Sequence, residues 1–125
     1  MQFAQLRWLV GSWRGRESSG KYFYERYHLA NDSTLQMTGY ADSTFAKAKP
    51  GDSVRLRGGQ VRYENVVATR LDPSGVAFAT PSGNFGFTWV RTPSGWTATL
   101  RQTDASGRDR TTVYQMEPYK PPAAR

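Results

Sequence analysis

A carboxylate set among aromatic rings is the feature of this sequence best placed to do chemistry. It lies in the run Lys21-Tyr22-Phe23-Tyr24-Glu25-Arg26-Tyr27-His28-Leu29. Side chains of a strand alternate between its two faces. One face then carries Phe23, Glu25, Tyr27 and Leu29, and the other carries Tyr22, Tyr24, Arg26 and His28. With the first face inside, Glu25 is a buried carboxylate, which is costly unless paired. Such a group is a candidate anchor for a ligand's donor or cation. It could equally be satisfied by a neighbouring tyrosine or arginine and serve the fold alone. A buried glutamate beside tyrosine and arginine also suits acid-base work of the isomerase, cyclase or lyase type.

Other chemistries are excluded by residue counts. There is no cysteine, so no thiolate nucleophile, disulfide or Cys-metal site can form. His28 is the only histidine, which rules out a Ser-His-Asp triad, a two-His zinc site and an HExxH motif. No cofactor or metal is expected. The glycines of "RGRESSG" and "GNFG" lack the strand-turn-helix context of a phosphate loop. The net charge is +7, from 17 Lys+Arg against 10 Asp+Glu. The basic residues are spread along the chain, so a basic solvated surface is expected rather than a specific nucleic-acid site.

The elements that must position Glu25 are strands. The turn type x-Pro-Ser-Gly recurs three times, at Asp72 to Gly75, Thr80 to Gly83 and Thr92 to Gly95. Proline presets φ in such a turn, and the glycine is expected to take a positive φ. Asn31-Asp32-Ser33 reads as a further turn and also matches a glycosylation sequon. Between turns lie runs rich in Thr, Val, Tyr, Phe and Trp, which suit a half-buried pleated surface. One short helix is expected near Phe3 to Leu9, followed by eight or nine antiparallel strands. Around Gly58-Gly59 a two-residue turn sets Arg57 opposite Gln60, Leu56 opposite Val61, Arg55 opposite Arg62 and Val54 opposite Tyr63. The apolar members share one face and the charges share the other. Glu64, diagonal to Arg55, is expected to offset the arginine pair.

A meander of this many strands hides its edges by closing into an up-and-down barrel. The fold class is therefore all-β: a single antiparallel barrel of eight to nine strands, its N-terminal helix closing one end. Gly11 supplies the bend from helix to strand, and Trp13 packs across the closed end. Residues 1–117 form the barrel domain and residues 118–125 a Pro-rich tail.

The residues Leu9 to Trp13, Glu25-Arg26-Tyr27 and Met37-Thr38-Gly39 carry a resemblance. On them the chain resembles the calycin superfamily of lipocalin-like barrels, and most nearly a bacterial lipocalin-like family of unknown function. That family often has tryptophan where this chain has Tyr27. The resemblance implies a barrel with a cavity but no reaction, and it implies that Phe23, Glu25 and Tyr27 face inward. Further lumen candidates are Leu35, Met37, Gly39, Tyr63, Asn65, Phe85, Phe87 and Trp89. Gly39 and Gly86 interrupt strands, marking bulges or room for a ligand. Related small barrels bind haem through a late histidine, and no histidine follows Leu29.

The expected function is binding of a small apolar or amphipathic molecule in the lumen. The competing readings are a barrel filled by its own side chains, the small acid-base enzyme, and an oligomeric interaction module. A monomer or homodimer is expected, with no membrane span, because no apolar run reaches the roughly 20 residues needed. The expected compartment is the cytoplasm as the chain stands, or the periplasm or exterior if an export signal has been removed.

Overall fold

The computed structural model describes residues 3–122. A 3-10 helix, Phe3–Leu9, leads into eleven strands: β1 (Gly11–Arg16), β2 (Tyr22–Asn31), β3 (Thr34–Tyr40), β4 (Ala48–Lys49), β5 (Ser53–Arg57), β6 (Gln60–Tyr63), β7 (Val66–Asp72), β8 (Gly75–Ala79), β9 (Phe85–Thr92), β10 (Gly95–Thr103) and β11 (Asp109–Pro118). Each strand pairs antiparallel with the next, except that β3 pairs with β5 and carries the short β4 at its far end. The pairing of β1 with β11 and of β2 with β3 closes the barrel, so ten strands form the wall and β4 is an addition.

The count of eight to nine strands is thus corrected upward. Tyr63 and Asn65, both lumen candidates, do not share a strand: β6 ends at Tyr63 and β7 begins at Val66, with a turn at Glu64 and Asn65 between them. This turn has neither glycine nor proline. Glu64 itself takes a left-handed φ of 54°, uncommon for glutamate, and Asn65 is the turn's one local signal. The second addition, β4, is only two residues long.

The β5–β6 hairpin has the expected register, Val54 to Tyr63 through Arg57 to Gln60. Glu64 stands beside Arg55 and Arg62 as expected, although its carboxyl is turned toward Asp52. The Pro-Ser turns between β7 and β8 and between β9 and β10 are also corrected. Of the three turn glycines only Gly83 takes a positive φ, 75°. Gly75 and Gly95 serve close approach: a Cβ there would stand 2.2 Å from the Trp89 carbonyl oxygen and 2.0 Å from that of Met116. Gly86 likewise abuts the Phe78 carbonyl, at 2.8 Å from a would-be Cβ, and the strand irregularities fall elsewhere, at Leu29/Asn31 and Ala68/Arg70. Asn31 closes its turn by accepting from the Ser33 amide at 2.9 Å.

The helix lies across one end. Its Phe3, Leu6 and Leu9 are buried, and Gly11 bends the chain into β1 with a φ of 139°. Trp13 donates its indole N–H to the Leu9 carbonyl at 2.8 Å, tying the first strand to the plug. Trp96 stands beneath, with ring centroids 5.5–6.0 Å from Trp8, Trp13, Tyr27 and Trp89. Such aromatic pairs each add about 0.5–1.5 kcal/mol beyond the area they bury. Leu35, Val61 and Val76 complete a solid half-barrel at this end.

The C-terminal strand runs through Pro118, past the boundary drawn at 117. Tyr119 continues the ladder by donating its amide to the Ser12 carbonyl at 2.9 Å, and its ring packs on Tyr24 and Phe45 and donates its hydroxyl to the Ser43 carbonyl at 2.8 Å. Residues 123–125 of the expected tail lie outside the described residues.

Candidate functional site

The half of the barrel away from the helix is hollow. Its cavity has a volume of about 460 Å³. This lies in the range of small-molecule pockets, roughly 300–1,000 Å³. The mouth lies at the end where β1 stops at Arg16 and β2 resumes at Tyr22, ringed by the turns at residues 17–21, 64–65, 80–84 and 104–108.

β2 supplies the chemical wall. The strand phase is the one the family resemblance implies: Phe23, Glu25 and Tyr27 line the cavity, while Arg26 and His28 are exposed outside. Glu25 has Trp13 of β1 and Gly39 of β3 as its Cα partners, neither of which offers it a charge. Gly39 does not reach the cavity wall. It leaves the position opposite Glu25 without a side chain, with nothing nearer a would-be Cβ than Lys49 at 3.9 Å.

The partners of Glu25 are tyrosine and acid. The Tyr27 hydroxyl donates to Glu25 Oε1 at 3.2 Å. Burial, chiefly, pushes the Glu25 carboxyl up to about 7; the Tyr27 bond opposes this and the charge of Asp52 adds to it. Tyr27 is itself raised, first by burial and then by the Glu25 charge. Tyr63, on β6, repeats the arrangement by donating to Asp52 Oδ2 at 2.6 Å, and burial and that bond raise it. Two tyrosine–carboxyl pairs thus flank the cavity, with their acids close enough to repel.

Met37, Phe85, Phe87 and Trp89 line the cavity as expected, and Leu35 is buried in the solid half. Asn65 was expected on a strand with Tyr63; it sits instead in the exposed turn at the rim, still bordering the cavity. The sequence-based lumen candidates include none from β10 or β11. Trp96, Ala98 and Leu100 line the cavity at every second position, as do Tyr114 and Met116. That alternation after Gly95 was a usable signal. Phe78, stacked on Phe87 at 4.7 Å, was missed too. Asp52 had no signal: it lies in a Pro-Gly-Asp-Ser loop and meets Tyr63 only through the fold. Glu17 and Glu64, both at the rim, had none either.

Among the described residues no three His, Asp or Glu side chains gather as a metal-ligating group, and no helix is long and apolar enough to cross a membrane. The arginines of the β5–β6 hairpin, Arg55, Arg57 and Arg62, lie outside the lumen beside Asp52 and Glu64. Compared with protein-family models, with curated proteins and with solved structures, the chain matches none.

Proposed function

We propose that this barrel binds a small apolar or amphipathic molecule in its lumen, as lipocalin-like barrels of the calycin type do. The observation that carries the reading is the open cavity of about 460 Å³ behind a solid, helix-plugged floor. A barrel that needed only stability would fill that half with larger side chains. Ala98 is the one small side chain among the rings of the wall and leaves room between them. The neutral fluorescent probe N-phenylnaphthylamine tests the reading. Saturable binding is expected, and Ala98→Phe, which takes up part of the lumen, is expected to weaken it several-fold while the barrel stays folded. Absence of probe binding to the unmodified chain would end the proposal.

A second reading is supported by the Glu25–Tyr27 pair. A carboxyl raised to about 7 is half-ionised at neutral pH and can both give and take a proton. On that reading the lumen holds a substrate whose isomerisation, cyclisation or decarboxylation begins with proton transfer to or from Glu25. Glu25→Gln would then abolish turnover while retaining N-phenylnaphthylamine binding.

A further inference from the structure

The charge of the lumen is opposite to that of the chain. The net charge is +7, yet among the described residues the cavity wall holds the carboxyls of Glu17, Glu25 and Glu64 and no lysine, arginine or histidine. A further acid, Asp52, stands behind Tyr63 and is felt by both Glu25 and Tyr27. Three of the arginines are engaged elsewhere. Arg14 pairs with Glu117 on the outer wall, Arg101 with Asp109, and Arg91 lies over Trp8 at the plugged end. Glu25 is the deepest of the lumen acids, and its one hydrogen bond among the described residues comes from Tyr27. Ionising it in this apolar surround is costly unless a cation meets it.

The rings around it suit the same occupant. Tyr27, Tyr63, Phe87 and Trp89 surround the space beside Glu25, with Tyr27–Trp89 and Tyr63–Trp89 centroids 6.1 and 5.9 Å apart. Aromatic faces attract ammonium groups, by about 0.5–2 kcal/mol each. A fatty acid or other anion would instead meet three carboxyls and no counter-charge.

We propose that the lumen ligand is an amphipathic organic cation, an amine whose ammonium sits at Glu25 between Tyr27 and Tyr63 and whose apolar body lies on Phe87 and Trp89. This rests on the lumen-binding reading and adds the ligand's chemical class. The acids at the rim, Glu17 and Glu64, draw the cation in over the otherwise basic surface.

The test is calorimetric titration with phenylbutylamine, phenylbutanol and phenylbutyrate, which share a body and differ in charge, near pH 8, where the amine is protonated. The amine is expected to bind about tenfold or more tighter than the alcohol, and the carboxylate weakest. Glu25→Gln, checked for folding by circular dichroism, should remove the amine's advantage and leave the alcohol within about twofold. Glu64→Gln should weaken the amine less, by a salt-dependent factor of about two to three. Equal binding of amine and alcohol, or preference for the carboxylate, overturns the cation assignment while leaving lumen binding intact. If none of the three binds but N-phenylnaphthylamine does, the cation assignment alone falls. If that probe fails too, the binding reading falls with it.

Discussion

The Tyr27 hydroxyl donates to Glu25 Oε1 across 3.2 Å, from two residues further along the same strand. Residues two apart on a strand share a face, so the pair faces the lumen together. A second pair, Tyr63 and Asp52, meets at 2.6 Å from different segments. In both, a neutral phenol donates to an acid; Glu25 has no cation beside it among the described residues, whereas Asp52 also borders the arginines of the outer face. The lumen is therefore polar at one patch and apolar around it.

Stability should fall as pH rises from about 5 to about 8. The folded Glu25 carboxyl titrates at about 7, above the ordinary value near 4.3, so its contribution is complete below the ordinary value and is lost through about 7. The groups facing it are Tyr27 on β2, Asp52, and Tyr63 on β6, while its β1 and β3 neighbours Trp13 and Gly39 are uncharged. Thermal melts of Glu25→Gln should show a flatter pH profile, with a gain of about 1–2 kcal/mol over the unmodified chain at the alkaline end. An unchanged slope would remove Glu25 as its cause.

Tyr27→Phe should push the Glu25 carboxyl higher still. The Tyr27 bond is the one influence that lowers it, so deleting the hydroxyl leaves burial and the Asp52 charge unopposed. Carbon-detected NMR titration of the Glu25 carboxyl reads the change directly. A downward shift would mean that the hydroxyl does not donate to the carboxylate.

Trp96→Ala should cost about 3–5 kcal/mol, because it removes the ring on which the plug and the cavity floor both rest. Trp96→Phe should cost much less. The Trp96 indole N–H is buried without a partner among the described residues, so its loss removes a penalty that offsets part of the lost packing. Chemical denaturation of the two variants checks the ordering.

Gly15→Ala should disturb the mouth more than the fold. A Cβ on Gly15 would stand 2.1 Å from the Phe23 ring, which lies over it from the neighbouring strand. The ring must swing away, and Phe23 borders the cavity. A changed affinity for N-phenylnaphthylamine with a melting temperature lowered by only a few degrees is expected.

Binding to mixed-sequence DNA should be weak and lost at physiological salt. Arg55, Arg57 and Arg62 lie on the outer face beside Asp52 and Glu64, which cancel part of their field. Filter binding across a salt series measures this, and salt-resistant binding would contradict it.

The local chemistry of the chain was legible in its order of residues. Period-two alternation placed Phe85, Phe87 and Trp89 on one face, and Gly58-Gly59 set the register of the β5–β6 hairpin residue by residue. Both depend on neighbours within a few positions, where backbone geometry leaves few choices. That Glu25 faces inward needed more than alternation, which yields two faces without saying which is concave. The rest came from closure. Ten strands meet only when β2 pairs with β3 and β1 with β11, and that sum of registers sets where each end of the barrel lies. Closure brings Asp52 to Tyr63 and sets Trp96 under the helix. It also leaves one half solid and the other hollow, because the volume inside a barrel depends on every strand's tilt and stagger together and on no single segment.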